Sequence, residues 1–156
     1  MRLASVGSRP SRSIAALVLA LGLLASGCAV RYLAEYDPRL EDGAITLQRE
    51  MDYHLTELEI ADADSARTYA ESREFYAQYA VELRSLQVRA RAQALNELTS
   101  EQIDLVLANL EEMRAQHEKD NVLSRGFLTT SRELFNTQWE SVLKLETAKR
   151  RGGEEK

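Results

Sequence analysis

Two histidines and one cysteine are the side chains of this 156-residue chain with the widest chemical reach. His54 and His117 each border an apolar stripe and could ligate a metal. Metal sites inside helical bundles place Glu-x-x-His on facing helices. Three residues before His54 stands Met51, and three before His117 stands Arg114. On parallel helices the two rings would differ by roughly 7 Å in height. Partly buried histidines at a bundle edge fit this pattern better than ligands do, so no metal and no cofactor are expected. Nucleophilic chemistry has no footing either. No Gly-x-Ser-x-Gly elbow and no glycine-rich phosphate loop occurs. The adjacent Glu111 and Glu112 read as a solvated helix face. Tyr69, Tyr76 and Tyr79, with Phe75 beside them, could form a ligand platform. At helical spacing they read as core, with hydroxyls at the rim. No catalytic residue is assigned, and an enzyme is not expected.

Cys28 offers a different chemistry. It closes the run Leu24-Ala25-Ser26-Gly27-Cys28, downstream of Arg2, Arg9, Arg12 and an apolar stretch from Ile14 to Leu24. A basic start, a short apolar core and small residues at the junction describe a secretory signal peptide. Eleven apolar residues are too few for a membrane span, which needs about 20. With a lone cysteine at the cut, the segment resembles a bacterial lipoprotein signal, although Ala25 stands where leucine is usual. The resemblance covers residues 1–29. It implies cleavage before Cys28, a diacylglyceryl thioether on its sulfur and an acyl chain on its new amino terminus. Two or more chains anchor stably, where one does not. Alanine rather than aspartate at position 29 implies the outer membrane, facing the periplasm, in a Gram-negative host.

Three of the 20 basic residues lie in residues 1–27, so from Cys28 onward 17 basic residues face 25 acidic ones, a net charge of −8. Such a chain is a poor binder of nucleic acid or of anionic lipid in general. Once Cys28 is lipidated no thiol remains for a disulfide, a metal or thiol catalysis. The remaining 129 residues suffice for one domain with its own core.

The elements around these residues are all helical. Residues 28–40 read as a lipidated tether, with Asp37-Pro38 stopping any helix before it. Residues 150–156, with Gly152-Gly153 and no apolar side chain, read as a disordered tail. Between them, residues 41–149 contain no proline, and apolar residues recur at three and four. Helix one is expected over about Glu41–Ile60, with Ala44, Leu47, Met51, Leu55 and Leu58 on one stripe. Asp62, Asp64 and Ser65 then offer caps. Helix two is expected over about Ser65–Leu95, with Tyr69, Tyr76, Leu83 and Ala90 seven apart. Thr99-Ser100-Glu101-Gln102 reads as a capping box starting helix three. That helix presents Ile103, Val106, Leu107, Leu110 and Met113. Helix four is expected over about Val122–Lys149, through Phe127, Leu128, Leu134, Phe135, Trp139, Val142 and Leu145. A break near Gly126 to Thr130 is an open alternative. The expected fold is all-α, an elongated antiparallel three- to four-helix bundle, with helices two and four overhanging the others.

Leu98-Thr99-Ser100-Glu101-Gln102 also matches Leu-Thr-x-x-Gln, a motif of Spy- and CpxP-type periplasmic proteins. That resemblance covers five residues and would imply a chaperone or stress sensor. The motif is not repeated, since Leu128 to Arg132 ends in arginine. The chain as a whole resembles small helical envelope lipoproteins of Gram-negative bacteria. The expected function is a lipid-tethered, non-enzymatic scaffold that binds another envelope protein. A periplasmic chaperone or stress sensor, and a metal- or small-ligand-binding bundle, are the alternatives.

Overall fold

A computed structural model describes residues 34–61 and 68–154. Cys28, the signal segment, the tether up to residue 33 and the caps at Asp62, Asp64 and Ser65 lie outside the described residues. Among those described, four helices follow one another: α1 Pro38–Ile60, α2 Tyr69–Arg91, α3 Glu97–Asp120 and α4 Arg125–Glu154. Each packs against its neighbours in the sequence, and α4 returns to α1, so the helices close into a ring. Cross-helix pairs run in opposite senses, as in an antiparallel up-down bundle. Arg84 meets Glu111 while Arg91 meets Asp104 across α2 and α3, and Gln48 meets Asn136 while Glu41 meets Arg150 across α1 and α4. The all-α bundle expected from periodicity is therefore the fold, with four helices in it.

The apolar stripes behave as their spacing requires. Leu40, Leu47, Met51, Leu55, Leu83, Leu110, Phe135 and Trp139 are buried together in one core. No helix among the described residues is long and apolar enough to cross a membrane.

The helix ends differ from expectation, each for a local reason. Residues 34–37 are not helical, and Asp37-Pro38 also starts α1, ahead of the expected Glu41. Asp37 is held extended, as a residue before proline must be, and its carboxylate accepts from the Arg39 N–H at 3.0 Å. Pro38 then stands where a helix has no use for an N–H. The last residues of the expected tether thus belong to the bundle. Ala34 and Asp37 are buried, and the Ala34 N–H donates to the Leu95 carbonyl at 3.2 Å.

Thr68 and Glu71 open α2, the Glu71 carboxylate accepting from the Thr68 N–H and hydroxyl at 3.3 and 2.8 Å. The helix stops at Arg91, in a turn where Leu95 takes a left-handed φ of 62°. Asn96 closes that turn by donating to the Ala90 carbonyl at 2.9 Å. The expected overhang shrinks accordingly: α1, α2 and α3 have 23, 23 and 24 residues, and only α4, with 30, is longer. Its first turn is held by Ser124, whose hydroxyl accepts from the Phe127 N–H at 3.2 Å. It then runs unbroken through Gly126 and Thr130, and continues past Arg150 to Glu154.

The capping box expected at Thr99 is not used as a cap. The helix begins two residues earlier, and Thr99 and Ser100 are buried in its first turn. Tertiary partners outbid the local cap. Thr99 accepts from the Lys149 ammonium at 2.8 Å and donates to the Glu146 carboxylate at 3.2 Å.

Candidate functional site

The α1–α2 seam is the most loosely packed of the four. A groove of about 1270 Å³ runs along it. Its ends are marked by Gly43 and Arg89 on one side and by Glu57 and Glu71 on the other. At the first end the helices come close: a Cβ on Gly43 would lie 2.6 Å from Leu86 Cδ1. Leu47, Leu58 and Leu86 contribute buried apolar surface to the lining, and Phe75 packs half-buried beside them. The lips carry large apolar side chains that the bundle does not cover. Tyr53 on α1 is 66 % exposed and Val81 on α2 is 62 % exposed.

His54 sits in this lining, buried, with its ring stacked on Phe75 at 3.7 Å and 15°. Behind it, Tyr76 draws both histidines toward one point. Each imidazole lies 5.8 Å from the Tyr76 ring in an edge-on arrangement. The Tyr76 hydroxyl shares a 3.0 Å hydrogen bond with His117 Nδ1. His54 Nε2 is buried without a hydrogen-bond partner. Burial, and secondarily the nearby His117, push the His54 pKa down to about 4, so its ring is neutral at pH 7. Both histidines are thus buried against one aromatic ring, rather than partly buried at a bundle edge. Among the described residues no group of three or more His, Cys, Asp or Glu side chains is placed to hold a metal.

The tyrosine stripe is core; the half-buried Tyr69 hydroxyl reaches the rim and accepts from Arg114 at 3.2 Å, while those of Tyr76 and Tyr79 turn inward. Tyr79 donates to the Leu47 carbonyl at 3.1 Å and accepts from the Trp139 indole at 3.2 Å. Burial raises the pKa of both Tyr76 and Tyr79, which keeps both phenols protonated.

A second polar cluster closes the α3–α4 seam. The Lys149 ammonium donates to Asn96 Oδ1, Thr99 Oγ1 and Glu146 Oε1, which uses all three of its protons. The Lys149 and Glu146 side chains are 2 % and 0 % exposed. Sequence periodicity had assigned this face to Leu134 and Leu145, yet Leu134 is 43 % exposed. The missed signal was spacing: steps of four, three, four and three from Phe135 land on Trp139, Val142, Glu146 and Lys149. Glu146 and Lys149 hold each other and the start of α3, an arrangement suited to fixing register rather than to turnover.

The groove, then, presents apolar anchors, a neutral imidazole and a rim of charged side chains. Compared with known proteins, the chain matches no family model, no curated protein and no solved structure.

Proposed function

We propose that this chain is a lipid-anchored, non-enzymatic docking module of the cell envelope, tethered through Cys28 and engaging another envelope protein along the α1–α2 groove. The observation that carries this reading is the loosely packed α1–α2 seam, which leaves Tyr53 and Val81 in solvent beside an apolar floor. Surfaces of this kind mark interaction sites. A lipid tether would confine the groove to a membrane surface and raise its effective concentration toward a partner there. Ala29 favours the outer membrane, facing the periplasm.

The test is site-specific photocrosslinking of the full-length chain in a Gram-negative envelope, with p-benzoylphenylalanine at Tyr53 or Val81. One recurrent envelope protein should be captured at both positions, and not from Glu112 on the outer face of α3. Cys28→Ser should prevent lipidation and abolish the capture. Absence of any crosslinked protein at both positions would remove the docking reading, and a wild-type chain free of lipid in the periplasm would remove the anchor.

The exposed apolar lips also support a second reading, a chaperone or stress sensor of the Spy and CpxP type. That reading requires promiscuous holding of unfolded clients. We expect none: at equimolar amounts the protein should not suppress aggregation of two unrelated clients. Clear suppression of both would reverse the order of the two readings.

A further inference from the structure

We propose that the α1–α2 groove is the seat of a basic amphipathic helix of about four turns, supplied by the partner protein. The proposal rests on the docking reading above and adds the chemistry of the occupant.

Spacing along the lips comes first. On α1 the groove is edged by Thr46, Glu50, Tyr53 and Glu57, in steps of four, three and four. On α2 it is edged by Gln78, Val81 and Ser85, in steps of three and four. Both are the one-turn repeat by which one helix presents a continuous row to another. Two such rows on antiparallel neighbours outline a trough that a third helix fits, its apolar side chains descending between Tyr53 and Val81 toward the floor.

Length agrees. From Gly43 to Glu57 the groove follows fifteen residues of α1, a rise of roughly 21 Å. That is the length of about four helical turns. It is long for a compact small molecule, whose pockets are typically closed on most sides.

Charge selects the sign. Six lining residues are charged. Arg89 is already neutralised by Asp37, which accepts from it at 2.5 and 2.9 Å. Glu50, Glu57, Glu71 and Glu82 then face Arg49 alone, a net of −3. The neutral His54 adds no positive charge to the lining. An acidic rim around apolar anchors favours a helix with an apolar stripe flanked by lysine or arginine, and rim charges act mainly on the rate and salt dependence of association. A second copy would bring the same acidic lips against these, so self-association through this face is disfavoured.

The probe is a fluorescent 14-residue leucine–lysine peptide with leucines at three–four spacing, beside a leucine–glutamate peptide of the same pattern. Each is titrated by anisotropy into the lipid-anchored chain in phosphatidylcholine nanodiscs, with empty nanodiscs subtracted. The lysine peptide should bind at least tenfold more tightly than the glutamate peptide. Val81→Glu, on an exposed lip, should weaken it tenfold or more with an unchanged thermal melt. Glu112→Lys on α3 should leave it within twofold. Combined Glu50→Lys, Glu57→Lys and Glu82→Lys should reverse the preference. Equal binding of both peptides, or binding indifferent to Val81→Glu, overturns the proposal. The crosslinks at Tyr53 and Val81 separate the two readings. An envelope partner captured through an acidic or non-helical segment leaves docking intact and refutes the basic helix. Crosslinks joining two copies, or reaching residues 1–27 of the chain itself, refute the partner-supplied helix too.

Discussion

The α1–α2 and α3–α4 seams stand opposite each other in the ring and solve the same packing problem in opposite ways. The α3–α4 seam buries a lysine and a glutamate and satisfies the ammonium completely through Asn96, Thr99 and Glu146, leaving the far carboxylate oxygen of Glu146 without a partner. The α1–α2 seam exposes Tyr53 and Val81 and buries a histidine whose Nε2 has no partner. The closed seam holds its charges as a buried pair, whereas the buried charge at the open seam, Asp37, is paired with Arg89 at one end of the groove. A bundle concerned only with stability would reverse both choices, since a buried ion pair is no stronger than well-packed apolar side chains. The closed seam is suited to fixing register, and the open seam is the one we propose for recognition.

The sharpest way to break this comparison is at the closed seam. Glu146→Leu alone should cost about 3–5 kcal/mol, because it leaves the Lys149 ammonium buried without its counter-charge. Glu146→Leu with Lys149→Met should recover most of that loss, or exceed wild type. Urea unfolding followed by circular dichroism measures both. A loss below about 1 kcal/mol in the single variant would mean that the seam is wet in solution.

At the open seam the corresponding probe is pH. The folded His54 pKa is about 4, against about 6.5 for an unfolded histidine. The unfolded chain therefore binds the proton first as pH falls. The contribution of neutral His54 is fully present above pH 6.5, is lost progressively down to about pH 4, and changes no further below that. The loss integrates to about 3 kcal/mol. His54→Phe should flatten the stability profile across this window. An identical profile in the variant would show that His54 is solvated, and the groove lining more open than described.

Two glycines sharpen the difference in packing at a smaller scale. Gly126 has nothing within 4 Å of an added Cβ, so Gly126→Ala should stabilise by up to about 1 kcal/mol. At Gly43 the same helical gain is opposed by Leu86 Cδ1 at 2.6 Å, so Gly43→Ala should show no gain. A clear rise in melting temperature for Gly43→Ala would mean that α1 and α2 are further apart at that end.

The smallest stability effect belongs to the lips. Val81→Ser should change stability by less than about 0.5 kcal/mol, as exposed substitutions usually do, while reducing capture of the partner. A large destabilisation would make Val81 part of the core rather than part of a recognition surface.

How far each feature was legible follows from its range in the chain. The stripes through Leu47, Leu55, Leu83, Leu110 and Phe135 were readable because a helix repeats every 3.6 residues and apolar positions must follow. Glu146 and Lys149 were legible by spacing and hidden by residue type, since charged side chains are rarely buried unless paired. Thr99 was read as a cap because its neighbours fit the local pattern, and partners on α4 overrode that pattern. Asp37 and Pro38 were read as a stop because a proline constrains the residue before it, and the same constraint makes a good helix start. The groove was not legible at all. Tyr53 and Val81 are unremarkable in sequence, and they become a pair only when two antiparallel helices set them across one gap.

By itself the sequence determined the helical character, the four apolar stripes and the acidic balance, because each depends on residue type and short-range spacing. Tertiary structure alone decided which stripes face each other, that Tyr76 collects both histidines, that a lysine and a glutamate lie inside, and which seam stays loose. Those outcomes depend on which helix stands beside which, and contacts between residues tens of positions apart leave no periodic trace in a single chain.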